Sequence, residues 1–353
     1  MTRITDLDTP AVVVDRRLVE SNLRRAQDYA DRHGIRLRPH IKTHKLALFA
    51  KRQIELGATG ITCQKIGEAE VMAEAGIEDI FIPYNILGAD KLERLWGLHQ
   101  RLTVSVTADS AATVEGYSRR FGDEAHPLPV LVECDTGAGR CGVQNPAEAN
   151  ELAMLIDSKP GLRFAGLMTY PPRGRTAEVD AWLTEARDRI TGSGLPVDVV
   201  SNGGTPDFYA AANVTAATEH RPGTYIYSDR MQVGFGVGTI ADCAFTVLAT
   251  VVSMPTPTRM VLDAGSKALA ADQCAAPGHG HIVEYPEAVV KSLSEEHAVV
   301  DLAECPARPK IGDKVRIVPN HVCVVTNLFD FIHLAEDGEV IARLPVRARG
   351  KMG

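Results

Sequence analysis

The sequence lacks several features that mark special classes of protein. It has no CxxC pair, and its seven cysteines are scattered and odd in number, which disfavours a disulfide framework and fits reduced thiols. No apolar run approaches the roughly 20 residues needed to span a bilayer. Charged side chains occur in the first ten residues before any apolar stretch. We therefore expect no signal peptide, no membrane association and a cytoplasmic location.

Basic residues are also in deficit. The 353 residues include 38 Lys and Arg against 45 Asp and Glu, giving a net charge of -7. Without a basic stripe to neutralise phosphates, nucleic acid is not an expected partner. The composition, with 45% hydrophobic and 24% charged residues, is that of a globular protein. The length suits a large barrel with an accessory domain.

Short β-branched runs alternate with helical patterns over the first two thirds of the chain. The pattern predicts eight strands, at Ala11–Val14, Arg36–His40, Gly60–Cys63, Ile80–Tyr84, Thr103–Ala108, Val130–Asp135, Gly166–Tyr170 and Asp198–Ser201. Helical patterns lie between them, the second beginning at Lys45. Eight βα units predict a (β/α)8 barrel. An open, doubly wound sheet is the alternative, but no GxGxxG turn follows the first strand.

The pattern changes after Gly238. Short strand candidates separated by turns follow, at Phe245–Val252, Arg259–Asp263, Ala298–Leu302, Lys314–Val318, Val322–Asn327 and Glu339–Leu344, with no helical pattern between them. Such a run predicts a mostly antiparallel β domain. We therefore expect a barrel over residues 10–238, and a β domain made of residues 239–353 together with residues 1–9.

Chemically reactive residues follow four of the predicted barrel strands. Lys42 lies in the polar stretch from Arg38 to Lys45, Arg140 lies in a glycine-rich turn, and Tyr170 ends a strand. Active sites of βα barrels form at the carboxyl ends of the strands. The turn Asn202–Thr205 has the Gly-Gly pattern that binds phosphate at a helix start, and Arg221–Tyr225 is a second candidate. A lysine opposite a phosphate-binding turn suggests pyridoxal phosphate, whose aldehyde condenses with a lysine amine. The alternatives are a plain turn and a surface lysine.

Five motifs together resemble the D-threonine aldolase and D-serine dehydratase family. They are Arg38 to Lys45, Gly57 to Thr62 with Glu68 to Glu70, Asp135 to Gly142, Ser201 to Pro206, and Thr218 to Asp229. The resemblance runs in the same order from Thr9 to about Asp330. It implies a fold-type III pyridoxal phosphate enzyme with an alanine-racemase-like barrel, a C-terminal β domain and a homodimeric assembly.

The resemblance also implies roles for individual residues. Lys42 would carry the cofactor, Tyr170 would face its pyridine nitrogen, and Arg140 would lie near it. The phosphate would be held by the glycine turns, through Asn202, Gly203, Gly204, Thr205, Gly223 and Tyr225.

A second cluster is expected in the β domain. His321 and Cys323 stand at positions i and i+2, which share one face of an extended backbone. An imidazole and a thiolate suit Zn²⁺, although a packed strand residue beside a structural thiol has the same pattern. The resemblance implies a divalent metal at this location. The family's aldolases typically carry His-x-Asp there and its dehydratases His-x-Cys, so Cys323 favours zinc and dehydration, with manganese or magnesium as alternatives.

The expected reaction is dehydration of a β-hydroxy-D-amino acid such as D-serine, D-threonine or 3-hydroxy-D-aspartate. Lys42 would take the Cα proton, and the metal on His321 and Cys323 would bind the β-hydroxyl, giving a 2-oxo acid and ammonia. The alternative is retro-aldol cleavage to glycine and an aldehyde. A racemase and a non-catalytic pyridoxal phosphate carrier are less favoured. His279, His281 and His297 are given no role.

Overall fold

The computed structural model describes residues 2–353, which divide into two compact units. The β unit comprises the residues up to Arg25, residues 43–46 and residues 224–350; the barrel unit comprises residues 26–42, 47–223 and 351–353. The chain therefore passes between units directly after Lys42 and directly after Gly223. These are two of five crossings between the units, and both fall at residues that are predicted to bind the cofactor.

Both units contain strands. In chain order they are β1 (Thr2–Arg3), β2 (Ala11–Asp15), β3 (Arg36–Leu37), β4 (Ile61–Thr62), β5 (Asp79–Ile82), β6 (Thr103–Ala108), β7 (Leu128–Cys134), β8 (Leu162–Thr169), β9 (Val200–Asn202), β10 (Glu219–His220), β11 (Phe245–Thr256), β12 (Arg259–Leu262), β13 (Gly280–Ile282), β14 (Val289–Leu293), β15 (Ala298–Asp301), β16 (Lys314–Pro319), β17 (Phe331–Glu336) and β18 (Glu339–Pro345).

Helices connect the strands, mainly in the barrel unit. They are α1 (Arg16–His33), α2 (Ala47–Glu55), α3 (Ile66–Glu74), α4 (Ala89–His99), α5 (Ala111–Arg120), α6 (Pro146–Asp157), α7 (Thr176–Gly192), α8 (Arg230–Gly234), α9 (Ser266–Leu269) and α10 (Val322–Leu328). Single 3-10 turns follow several strands, including Ile41–Thr43 and Thr224–Ile226. Within residues 2–353, no helix combines the length and the apolar character that crossing a membrane requires.

Eight parallel strands form the sheet of the barrel unit, in the order β3-β10-β9-β8-β7-β6-β5-β4. A parallel bridge between His40 and Thr62 joins the two ends of this order, and the Thr62 N–H donates to the Pro39 carbonyl at 2.8 Å. The sheet thus closes on itself, which confirms the predicted (β/α)8 barrel.

One barrel strand differs from the prediction. Ala11–Val14 belongs to β2, which pairs with β11 and β17 in the sheet of the β unit. The missing barrel strand is β10, which pairs with β9 and β3. The prediction is wrong because β2 is buried along its length and so has the continuous apolar pattern of a barrel strand. The two residues of β10 are polar and carry no such pattern.

The β unit holds the second sheet. Its main order is β1-β18-β17-β2-β11-β12-β15-β14, with β16 pairing with both β11 and β13. Neighbouring strands are antiparallel, except that β17 and β2 are parallel. The predicted, mostly antiparallel β domain is therefore confirmed. Its central strand β2, however, comes from the start of the chain.

Residues 322–327 correct a second prediction. They form α10 rather than a strand, and α9 is a further short helix in a region predicted to have none. The β-branched run favours a strand by propensity alone. A tertiary contact outweighs it, because the Asp229 carboxylate accepts the Val322 N–H at 3.1 Å. Within the helix, the Thr326 hydroxyl donates to the Val322 carbonyl at 2.9 Å.

Candidate active site

Lys42 lies in a 3-10 turn that follows the first barrel strand. Its backbone N–H donates to Nδ1 of His40 at 3.3 Å. The predicted start of a helix at Lys45 is wrong. Lys45 has a left-handed φ of 55°, and α2 begins at Ala47. The lysine is thus presented on a tight, non-helical turn beside the carboxyl ends of the barrel strands, where barrel enzymes place their chemistry.

The predicted phosphate turn depends on two glycines. Gly203 has a left-handed φ of 85°, and a Cβ atom there would overlap the His220 ring. A Cβ on Gly204 would lie 3.1 Å from the Tyr170 ring. Burial lowers the pKa of His220 to about 4, so the ring is neutral, and its Nε2–H donates to the Gly204 carbonyl at 2.9 Å. The turn is therefore closely fitted to its surroundings.

The two predicted phosphate segments contact each other through Gly223, the last residue of the second segment that belongs to the barrel unit. The Gly223 N–H donates to the Thr205 hydroxyl at 3.1 Å. Beside them, the Asn202 side chain is buried, and its Oδ1 has no hydrogen-bond partner among residues 2–353. A buried amide atom of this kind is normally satisfied. The unpaired atom is an oxygen, which can only accept a hydrogen bond and so fits a bound donor rather than a phosphate oxygen. The feature that suits the cofactor phosphate is the glycine turn, where a Cβ on Gly203 would overlap the His220 ring and backbone N–H groups can come close to a ligand.

Arg140 and Tyr170 also come together. The Arg140 guanidinium lies 4.7 Å from the centre of the Tyr170 ring, an arrangement that stabilises the cation. The turn that carries Arg140 is held by Asp135, whose Oδ1 accepts the Gly137 N–H at 2.9 Å. Because Tyr170 also borders Gly204, both residues belong to the same group as the phosphate turn.

Two buried charges in the barrel unit were assigned no role of their own by the sequence, although Arg221 begins the second phosphate candidate. Arg221 donates to Ser201 Oγ at 2.6 Å and to the Thr169 carbonyl at 2.7 Å, and burial lowers its pKa to about 10. Burial, reinforced by the charge of Asp109, raises the pKa of Glu133 to about 7. Both lie at carboxyl ends of barrel strands, and that position was the signal that could have identified them.

His321 and Cys323 are adjacent, although not on a strand. His321 is the N-cap of α10, with extended φ and ψ of -141° and 109°, and Cys323 lies in the first helical turn. The two side chains interact, and the interaction with Cys323 contributes to a raised pKa of His321. The prediction of an extended pair is wrong in backbone conformation, but the imidazole and the thiol do come together.

Asp229 supports this pair and was missed by sequence reasoning. Its side chain is completely buried, and its Oδ2 lies 2.9 Å from Nδ1 of His321. A carboxylate that binds one imidazole nitrogen orients the other toward a metal. Asp229 occurs in an ordinary helix-start pattern, 92 residues from its partner, so no local signal indicates this role.

The charge of His321 is set by its hydrogen bonds. Burial alone would lower its pKa, but the hydrogen bonds to Asp229 and Cys323 outweigh burial and raise the pKa to about 10. In the metal-free protein the imidazole is therefore a cation at neutral pH. A metal ion would have to displace this proton, since only the neutral ring is a ligand.

Two threonines complete the surroundings of Cys323. The hydroxyl of Thr43 lies 3.2 Å from its sulfur and that of Thr224 lies 3.7 Å away. These threonines directly follow Lys42 and Gly223, at the two steps where the chain enters the β unit. Among residues 2–353, no group of three or more His, Cys, Asp or Glu side chains is arranged to hold a metal. A metal on His321 and Cys323 would therefore leave its other positions to water or substrate.

The three histidines that were given no role in the sequence analysis do not belong to the pair His321 and Cys323. His279 contacts Gln273 at 3.2 Å, His281 is paired with Val318 in the sheet, and the His297 carbonyl accepts the Ser294 N–H at 2.9 Å. Their chemical roles stay unassigned.

Known proteins match this chain over nearly its whole length. The family profile described as "Alanine racemase, N-terminal domain" matches residues 14–231, and "Putative serine dehydratase domain" matches residues 244–335. The D-threonine aldolase of Arthrobacter sp is 37% identical over an alignment covering 98% of this chain and 93% of that protein. The chain belongs to the D-threonine aldolase and D-serine dehydratase family.

Solved structures of the family agree with the fold. D-threonine aldolase from Filomicrobium marinum has a TM-score of 0.90 and 32% identity, covering 100% of this chain and 98% of that chain. A cysteine-to-alanine mutant of D-threo-3-hydroxyaspartate dehydratase in the metal-free form has a TM-score of 0.87 and 28% identity, covering 98% and 99%. The family thus includes aldolases and dehydratases of β-hydroxy-D-amino acids.

Proposed function

We propose that this protein is a pyridoxal phosphate- and metal-dependent lyase that dehydrates β-hydroxy-D-amino acids to a 2-oxo acid and ammonia. The observation that carries the proposal is the His321 imidazole held by the buried Asp229 carboxylate, with the Cys323 thiol interacting with the same imidazole. A thiolate next to an imidazole suits Zn²⁺ better than Mn²⁺ or Mg²⁺. A homodimer is part of the proposal.

The barrel residues would hold the cofactor. Lys42 would carry it, the glycine turns Asn202–Thr205 and Gly223–Tyr225 would bind its phosphate, and Arg140 and Tyr170 would border its ring. Bound pyridoxal phosphate supplies an electron sink for the Cα–H bond of the substrate. The Lys42 amine takes the Cα proton as a general base.

The second group acts on the β-carbon. His321 and Cys323 would hold a cation that serves as a Lewis acid for the departing β-hydroxyl. Asp229 fixes the His321 tautomer by accepting the Nδ1 hydrogen, which directs Nε2 to the ligand side. Loss of the hydroxyl as water and hydrolysis of the released enamine would give the 2-oxo acid and ammonia.

Retro-aldol cleavage is the second candidate. It is favoured by the matches to D-threonine aldolases at 37% and 32% identity. The same Lys42, His321 and Cys323 would serve, but a base would deprotonate the β-hydroxyl and the Cα–Cβ bond would break, giving glycine and an aldehyde.

Product analysis distinguishes the two reactions. The protein, loaded with pyridoxal phosphate and Zn²⁺, is incubated with D-serine, D-threonine and 3-hydroxy-D-aspartate, and ammonia and glycine are measured. We expect ammonia to exceed glycine, with the L-enantiomers as negative controls. A His321→Ala variant should keep the absorbance of bound cofactor and lose metal and turnover. Glycine as the main product would overturn the dehydratase proposal in favour of the aldolase.

A Cys323→Asp variant tests the role assigned to the thiol. An oxygen ligand should weaken zinc binding relative to Mn²⁺, and we expect the ratio of ammonia to glycine to fall. If a Cys323→Ala variant retained full metal and activity, Cys323 would not be a ligand.

A further inference from the structure

Four groups of the barrel unit form a hydrogen-bonded chain that begins at the backbone of Lys42. The Lys42 N–H donates to Nδ1 of His40 at 3.3 Å. Nε2 of the same ring lies 2.9 Å from Oε1 of Gln64, and Nε2 of Gln64 donates to the Pro83 carbonyl at 3.4 Å. His40 is buried and Gln64 is half-buried.

The direction of this chain is fixed from both ends. A backbone N–H can only donate, so Nδ1 of His40 must be an acceptor and carry no hydrogen. A backbone carbonyl can only accept, so Gln64 must present its NH2 group to Pro83 and its oxygen to His40. The neutral His40 ring then carries its hydrogen on Nε2. This assignment of hydrogens satisfies all three of these contacts.

Gln64 is held firmly enough to impose this state. Its backbone N–H donates to Oε2 of Glu68 at 2.8 Å, and the same carboxylate accepts the Lys65 N–H at the start of α3. The Lys65 ammonium lies 3.7 Å from the centre of the Tyr84 ring. The His40 backbone is fixed as well, because its N–H donates to the Pro222 carbonyl at 2.9 Å.

We propose that Gln64 is a positioning residue for Lys42, acting through His40. It holds His40 as the neutral Nε2–H tautomer, so that Nδ1 remains free to accept the Lys42 N–H and to fix the turn that presents the lysine. The inference rests on the proposed role of Lys42 as the cofactor lysine. His44 makes the same i to i+2 contact, since its Nδ1 accepts the Leu46 N–H at 3.1 Å. At His40 we assign the choice of tautomer to Gln64.

The tautomer is measurable without any reaction. In ¹⁵N-histidine-labelled, cofactor-free protein, the His40 signals, assigned by their loss in a His40→Gln variant, should show a neutral ring with the hydrogen on Nε2 from pH 6 to pH 8. A hydrogen on Nδ1, or a doubly protonated ring at pH 7, would overturn the proposal. This result does not depend on which lyase reaction the protein catalyses.

A Gln64→Glu variant tests the consequence for Lys42. The carboxylate has no hydrogen to give the Pro83 carbonyl, and it favours a protonated His40, whose Nδ1–H would then oppose the Lys42 N–H. In the cofactor-loaded protein we expect the pH midpoint of the cofactor absorbance change to move by about one unit. We also expect kcat to fall about 100-fold with little change in KM, since small misplacements cost this much.

Gln100→Glu is the matched control. It makes the same charge change at an exposed position after α4 and should leave both the midpoint and kcat unchanged. If Gln64→Glu retained the midpoint and kcat of the unsubstituted protein, Gln64 would have no positioning role. If the variant bound no cofactor, the NMR tautomer of the unsubstituted protein would decide the question.

Discussion

The barrel group around Lys42 and the pair His321 and Cys323 in the β unit differ in what sets their charges. In the barrel unit burial dominates: it raises the pKa of Glu133 and lowers the pKa of Arg221 and of His220. At His321 burial acts in the same sense as at His220, yet hydrogen bonds reverse the outcome.

The two groups also differ in construction. The barrel group depends on backbone geometry, with glycines at turns and backbone N–H groups next to the residues that are proposed to bind the cofactor. The pair in the β unit depends on one buried carboxylate, Asp229, and on side chains from distant parts of the chain. Substitutions should therefore act on the barrel group through backbone strain or burial, and on the pair through a single contact. Four predictions test this contrast, in order of decreasing effect.

Lys42→Ala should abolish the function of the barrel group and leave metal binding by His321 and Cys323 intact. We expect activity to fall about 1,000-fold or more, because the substitution removes both the proposed attachment point of the cofactor and the proposed general base. The absorbance of bound cofactor should disappear, while zinc content measured by mass spectrometry stays unchanged. The exposed Lys51→Ala serves as the control. Loss of zinc together with the cofactor would show that the two groups are not independent.

Gly203→Ala should show that backbone geometry limits the barrel group. The new Cβ would overlap the His220 ring at a left-handed φ of 85°, which we expect to cost about 2 to 4 kcal/mol of unfolding free energy in urea. Gly194→Ala is matched to it, since Gly194 has φ of 94° but nothing within 4 Å of a Cβ, and should cost only about 1 kcal/mol. Equal costs would refute the close fit of the phosphate turn.

Glu133→Gln should reveal a charge that is controlled by burial. Below pH 4.5, the ordinary value for the carboxyl, it is protonated whether folded or unfolded. As pH rises through the folded pKa of about 7, the wild type loses stability. We expect the glutamine variant to gain up to about 3 kcal/mol on the wild type between pH 4.5 and pH 8, measured by urea unfolding. Exposed Glu178→Gln should show no such trend, and a pH-independent difference at Glu133 would contradict the prediction.

Asp229→Asn should reveal a charge that is controlled by a partner. Without the carboxylate, His321 loses the contact that fixes its tautomer, and we expect zinc affinity to fall about 10- to 100-fold, measured by competition with a chelator. Cofactor absorbance should be unchanged, and the exposed Asp188→Asn should bind zinc normally. Unchanged zinc affinity in Asp229→Asn would remove Asp229 from the site.

A structural feature could be predicted from the sequence where the residues that determine it are close together in the chain. The barrel could be predicted because its alternating strand and helix patterns are local in the sequence. The roles of the glycine turns and of Lys42 stay predictions. The start of α10 was not predicted, since it depends on an Asp229 carboxylate 93 residues before Val322. The barrel strand β10 was missed because its two residues are buried polar ones, and β2 was assigned to the wrong sheet because burial on both faces leaves no alternation to read.

The path of the chain has a consequence for recombination between relatives. The β unit is assembled from three separate segments, and its central strand β2 lies between β17 and β11 although more than 200 residues separate it from either. A chimera of an aldolase and a dehydratase joined at one position near Thr224 would therefore pair an N-terminal strand from one parent with sheet neighbours from the other. Exchanging the first 25 residues together with residues 43–46 and 224–350 would transfer the unit whole, carrying its histidine and cysteine with the threonines that contact the sulfur.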